Sequence, residues 1–245
     1  MKILSVICLI LSCEFLFGAN PEPSAILKAI DANMNSSSSK SVTRLVINGR
    51  RSSRTVGSIN YAQGNSRFYT EYTAPPRDKG TKMLKLGKDL WIYEPESDRS
   101  IKISGNMLKQ SVMGSDLSYE DFMEETKLVD AYSARISGET ELDGRQCWVL
   151  DLTAKQSNLA YFKRKLWVDK ERYVVLKEFL YAKSGKLLKS ITASDFRKTG
   201  NRWYPHYILF KDELKEGKGT QYYIDSIQFD IVLPANLFTK GVLKK

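Results

Sequence analysis

Residues 81–103 read TKMLKLGKDLWIYEPESDRSIKI. Three short runs dense in apolar, β-branched and aromatic residues, Thr81–Lys85, Asp89–Tyr93 and Ser100–Ile103, alternate with turn residues, and Gly87-Lys88-Asp89 reverses the chain between the first two. Strands joined by turns this tight lie side by side and antiparallel, since a parallel neighbour needs a crossover of a dozen or more residues. The stretch predicts a β-meander.

The same pattern runs outward in both directions. Val42–Asn48, Thr55–Tyr61 and Arg67–Tyr72 precede it, and Tyr132–Glu139, Gln146–Thr153, Tyr161–Asp169, Val174–Ala182, Leu187–Phe196, Trp203–Lys211 and Thr220–Phe229 follow. Gly64-Asn65, Asp143-Gly144, Ser184-Gly185 and Gly200-Asn201 supply further turns. With some runs merging, about ten strands are expected, and the class is α+β but mainly β. A doubly wound nucleotide-binding fold is excluded, because no strand–glycine loop–helix unit occurs.

Two segments depart from the meander. Ala25–Met34 places Ile26, Leu27, Ile30 and Met34 on one helical face, and Asn35 with the serines 36–39 ends that helix. Between Gly105 and Leu128, Met107, Leu108, Val112, Met113, Leu117, Phe122 and Met123 recur at three- and four-residue spacings. There Ser118-x-x-Asp121 reads as the capping box of a second helix. Methionine suits either a gap between helix and sheet or a surface that accepts ligands of variable shape.

The N-terminal stretch has the composition of an export signal. Lys2, an apolar run from Ile3 to Leu11, a patch at Phe15–Phe17 and the small residues Gly18-Ala19 predict a signal peptide over 1–19, cleaved after Ala19. The alternative is a lipobox, Ile10-Leu11-Ser12-Cys13, which would leave a lipidated Cys13 anchoring the protein. Of the three cysteines, Cys8 and Cys13 fall in the leader, so Cys147 is left alone and no internal disulfide can form. The roughly 225 remaining residues suffice for one domain, 20–245, held by its core. The formal charge of +10 is spread along the chain, with no stripe of a nucleic-acid footprint, so behind a leader it points to anionic lipid head groups or to solubility alone.

Catalytic chemistry finds little foothold. His206 and Cys147 are far apart in sequence, and Cys147 between Gln146 and Trp148 reads as a small core residue. Zinc lacks clustered nitrogen and sulfur ligands. The acidic groups Asp116, Glu120, Asp121, Glu124 and Glu125 have no calcium-loop spacing and suit a helix start. No enzyme activity, metal or cofactor is expected. The excess is apolar: 203–210 (WYPHYILF) and Tyr222-Tyr223-Ile224 on to Ile227 and Phe229 are apolar on both faces, whereas a sheet packed on one side alternates. A strongly curved sheet with a helix and an insertion across its concave face accounts for this; a packed barrel or sandwich is the alternative.

Several segments carry a family resemblance. Lys79–Leu84, Leu90-Trp91-Ile92-Tyr93-Glu94-Pro95 and Ser111-Val112-Met113-Gly114-Ser115-Asp116-Leu117-Ser118-Tyr119-Glu120-Asp121-Phe122 come first. Asp143–Leu150, Leu166–Lys170, Gly185–Lys189 and Leu237-Phe238-Thr239 with Leu243 follow in order. Together they resemble the LolA-like outer-membrane lipoprotein-sorting family. The resemblance implies a curved, incomplete antiparallel β-barrel whose apolar concave face is covered by helices, and a non-catalytic periplasmic carrier of lipoprotein acyl chains or other lipids. It also implies an inner-membrane exporter and an outer-membrane acceptor as partners, and a monomer. The alternative function is a module that docks on an inner-membrane exporter or envelope complex and carries no lipid. The family's cavity arginine before a proline aligns with Ala62-Gln63, leaving Arg44 or Arg67 to replace it. Strand alternation nominates as cavity residues Leu84, Trp91, Tyr93, Met107, Met113, Phe122, Leu176, Leu180, Ile208, Phe210, Tyr223, Ile227 and Phe229.

Overall fold

A computed structural model describes residues 20–49, 52–124 and 126–244; the expected leader, with Cys8 and Cys13, lies outside them. Helix α1 (Pro23–Met34) opens the described chain, with proline in its first turn, where a missing N–H costs nothing. Thirteen strands follow. They are β1 (Ser38–Asn48), β2 (Ser53–Gln63), β3 (Arg67–Ala74), β4 (Lys82–Leu86), β5 (Asp89–Glu94), β6 (Arg99–Ile103), β7 (Tyr132–Leu142), β8 (Arg145–Ala154), β9 (Lys163–Asp169), β10 (Val175–Tyr181), β11 (Leu187–Thr199), β12 (Arg202–Asp212) and β13 (Thr220–Phe229). The expectation of about ten was too low, because each run is bounded by its own turn and none merges with a neighbour.

All thirteen form one antiparallel sheet in the order β6-β5-β4-β3-β2-β1-β13-β12-β11-β10-β9-β8-β7. Two meanders, β1–β6 and β7–β13, are joined where β13 pairs with β1. Strands β6 and β7 are consecutive in the chain yet lie on opposite edges, so the sheet does not close. The connection between them, residues 104–131, must therefore cross a face of the sheet.

That crossing segment is not the single helix its spacing suggested. It contains 3-10 turns at Gly105–Lys109, Val112–Gly114 and Tyr119–Phe122, then the one-turn helix α2 (Leu128–Ala131). Positive φ at Gly105, Met113 and Gly114 interrupts any longer helix. The capping box does form: the Asp121 carboxylate accepts the Ser118 backbone N–H at 2.7 Å and its hydroxyl at 3.0 Å.

The largest buried cluster joins Ile26, Leu27 and Ile30 of α1 to Trp148, Leu150 and Leu152 of β8 and Leu166 and Val168 of β9. On the other half of the sheet, both faces of β4 and β5 are covered. Met83, Leu90 and Ile92 pack with Met107, Leu108 and Phe122 of the crossing segment, while Leu84 and Trp91 pack on the opposite face with Leu237 and Leu243 of the C-terminal segment. No described helix is long and apolar enough to cross a membrane.

Buried Asp169 fastens the turn after β9 to β8. It accepts a bidentate pair from Arg145 at 2.7 and 3.1 Å and the backbone N–H groups of Glu171 and Arg172 at 2.8 and 3.1 Å. Burial pushes its carboxyl up, but these donors outweigh burial and hold it below the usual carboxylate range. A depressed folded-state pKa means that the unfolded chain takes up the proton first. The stabilisation is therefore complete above the ordinary carboxylate pKa and is lost as pH falls through the folded value. Asp169→Asn should lower stability at pH 7 and flatten its decline between about pH 5 and pH 2, read from urea midpoints across that range.

Gly219, at φ +84°, enters β13 so close to β12 that an added Cβ would lie 2.5 Å from the Phe210 carbonyl oxygen. Gly219→Ala should cost roughly 1–3 kcal/mol, measured by urea denaturation, through strain and the forced separation of these strands.

Candidate functional site: a hollow under the crossing segment

Helix α1 and the crossing segment leave a hollow of about 480 Å³ above the sheet. Phe68 of β3, Phe122 of the crossing segment, Ile191 of β11 and Ile208 and Phe210 of β12 give it apolar walls, with Ile30 and Met34 of α1 alongside. Arg164 of β9 lines it too. Strands β3 and β9 are seven steps apart in the sheet, about 34 Å if it were flat. That one hollow touches both means that the sheet curls around it.

One end is charged. Arg164, with its side chain 9% exposed, donates to Glu124 of the crossing segment at 2.5 and 2.6 Å and to Glu178 of β10 at 3.1 Å. Its guanidinium also lies 4.8 Å from the Tyr132 ring centroid. Beside it, Lys189 of β11 pairs with Asp121, which accepts the Tyr161 hydroxyl at 2.5 Å. Burial pushes the Glu178 carboxyl up and Arg164 pulls it back; the net direction is upward. Burial, reinforced by Asp121, likewise raises the Tyr161 phenol.

Further ties hold the crossing segment in place. The Asp116 carboxylate accepts the Asp212 backbone N–H at 2.9 Å and the Thr220 hydroxyl at 2.7 Å. Lys215 donates to Ser111 Oγ at 2.6 Å and to the Ser115 carbonyl at 3.1 Å. Asp31 of α1 accepts the N–H groups of Leu128 and Val129 at 3.0 and 3.1 Å, joining α1 to the start of α2. Burial raises the Asp31 carboxyl in spite of those two donors.

The thirteen nominated residues part company here. Phe122, Ile208 and Phe210 line the hollow; Leu180 borders an adjoining one, and Ile227 and Phe229 border another with Tyr204 and Tyr222. Met107 packs over β4 and β5, and Met113 over Leu45, Val56 and Tyr72. Leu84, Trp91 and Tyr93 lie on the other face beneath the C-terminal segment. Tyr223 also lies there, 4.8 Å from the Arg44 guanidinium. A run apolar on both faces does not say which face is which, so alternation alone does not place these four on the hollow's side. Leu176 packs with Cys147 and Val174, where a register shift between Val175 and Lys177 breaks alternation.

The arginine that ties the crossing segment is neither of those proposed. Arg44 pairs with Asp225 on the outer face, and Arg67 borders the hollow but donates to Gln63 and, among the described residues, makes no tie to the crossing segment. Arg164 was legible: in the run from Arg164 to Val168 it shares a face with Leu166 and Val168. As for the thiol, Cys147 is fully buried and its pKa is pushed up by burial, opposite to what an activated thiolate needs. Among the described residues no three His, Cys, Asp or Glu side chains gather to hold a metal.

This open antiparallel sheet of thirteen strands with few helices is a LolA-like fold. A domain provisionally described as an outer-membrane lipoprotein-sorting protein domain, from Vibrio parahaemolyticus, superimposes with a TM-score of 0.79 at 23% identity, covering 91% of this chain and 98% of that one. A DUF1329 family protein from Desulfovibrio piger gives 0.81 at 25%, covering 90% and 97%. A LolA superfamily protein from Nitrosomonas europaea gives 0.72 at 22%, covering 91% and 100%. Residues 64–245 match the profile of a family described as uncharacterized protein, and the chain belongs to that family. No curated protein matches it by sequence.

Truncating Arg164 would leave the largely buried Glu178 facing the more exposed Glu124 without a cation. Arg164→Met should destabilise the protein by about 3–5 kcal/mol in urea denaturation. Adding Glu124→Gln and Glu178→Gln to that variant should recover part of the loss.

Proposed function

We propose that the protein is a periplasmic carrier that shelters acyl chains of lipoproteins or other lipids in this hollow and moves them between the envelope membranes. The observation that carries the reading is an apolar-walled hollow of about 480 Å³ within a LolA-like fold. That volume lies within the range of small-molecule sites, roughly 300–1,000 Å³. Burial of each methylene there contributes about 0.8 kcal/mol, and a carrier needs no chemical step.

In this reading residues 20–245 are one lipid-binding domain behind a cleaved leader, and α1 with the crossing segment forms the cover. Phe122, Ile208 and Phe210 make the first contacts with a chain, and Leu180, Ile227 and Phe229 extend them as the cover shifts. The ion pairs of Arg164 and Lys189 with Glu124 and Asp121 hold the cover down when no cargo is present. The orientation of Leu84, Trp91, Tyr93 and Tyr223 argues for leaving them out of the cargo surface, and Met107, Met113 and Leu176 serve as packing residues.

Native mass spectrometry of protein purified without detergent should find near-stoichiometric acyl lipid that solvent extraction removes. Phe210→Glu should abolish that load while circular dichroism keeps the wild-type β signal. A lipid-free wild-type mass that persists after incubation with phospholipid and lipopeptide would overturn the carrier reading.

A further inference from the structure

On the face turned away from the hollow, β9 and β10 carry a different surface. Their inward residues are Arg164, Leu166, Glu178 and Leu180; between these, pointing outward, come Lys163, Lys165 and Trp167 and then Lys177, Phe179 and Tyr181. The three rings form one aromatic row, Trp167 against Phe179 at 5.0 Å and Phe179 against Tyr181 at 6.4 Å, both edge-on. Lys177 sits 5.1 Å from the Trp167 centroid and 4.7 Å from that of Phe179, and Lys165 sits 5.6 Å from Trp167. The rings are half-buried yet join none of the five buried clusters.

Charge on this patch is one-sided. Among the described residues, none of Lys163, Lys165 and Lys177 is in an ion pair, whereas the neighbouring Asp151 is already held by Arg135 at 2.6 Å. We infer that this face of β9 and β10 docks on a bilayer surface containing anionic lipid. Two features match that occupant. Aromatic side chains with an apolar body and a polar edge settle at the level of lipid head groups. Unpaired lysines beside them meet the negative surface potential of such a membrane. Docking through this face leaves the hollow, on the other side of the same two strands, uncovered.

Co-sedimentation with vesicles of equal parts phosphatidylcholine and phosphatidylglycerol, against phosphatidylcholine alone, tests the inference. Wild-type protein should bind the anionic vesicles and be released by raised salt. Lys165→Glu with Lys177→Glu should weaken binding by more than about tenfold, and Trp167→Ala should weaken it independently of salt. Circular dichroism monitors folding of both variants. Unchanged binding by the charge-reversed protein, equal binding to neutral vesicles, or no binding to either would overturn the proposal, the last pointing to a protein partner. The inference stands apart from the carrier reading: Phe210→Glu should lose its lipid load yet still bind vesicles, and the lysine variant should show the weakened vesicle binding yet keep its load.

Discussion

A guanidinium buried between two carboxylates ties the sheet to the segment that crosses it. Arg164 stands on β9, Glu178 on β10, and Glu124 on the segment that crosses from one sheet edge to the other. Removing such charges from water is costly, and the cost is offset only while all partners stay in place. The crossing segment is too irregular to be held by a helical stripe, since its turns are short and interrupted at Met113 and Gly114. Its position over the sheet depends on scattered apolar contacts such as those of Met107 and Phe122 and on specific polar ties, those of Asp116, Asp121 and Glu124 above all.

This arrangement differs from an ordinary hydrophobic core in what holds it together. The cluster of α1 with β8 and β9 is tightly buried and has no polar alternative, so it acts as the fixed frame. The hollow lies between that frame and the segment tied by ion pairs, where carboxylates and lysines can exchange partners with water. The same strands that carry the charged end of the hollow carry lysines and aromatic rings on their other face, a consequence of the two-residue period of a strand.

The C-terminal segment explains why β4 and β5 are apolar on both sides. Leu237 and Leu243 bury Leu84 and Trp91 on the outer face, while Met107 and Phe122 bury Met83 and Ile92 on the inner one. Lys82 donates to the carbonyls of Val242 and Leu243, fixing the segment where it lies. A surplus of apolar residues on a strand thus has two sources here, a hollow on one side and a covering segment on the other.

Sequence alone determined the strands, because each short β-branched and aromatic run ends at turn residues whose backbone preferences are local; it also determined α1 and the Ser118–Asp121 capping box. Phe122, Ile208 and Phe210 were legible as hollow-facing, and Arg164 and Glu178 could have been read from the alternation that places them beside Leu166 and Leu180. The remaining features were decided by tertiary structure. Which face of 82–93 meets the hollow depends on where residues 237–243 pack, and the displacement of Leu176 depends on a register shift with β9. That β6 and β7 lie at opposite edges, forcing residues 104–131 across the sheet, follows from the pairing of β1 with β13. Local propensity cannot encode that pairing, because it joins strands about 180 residues apart through backbone hydrogen bonds common to every residue type.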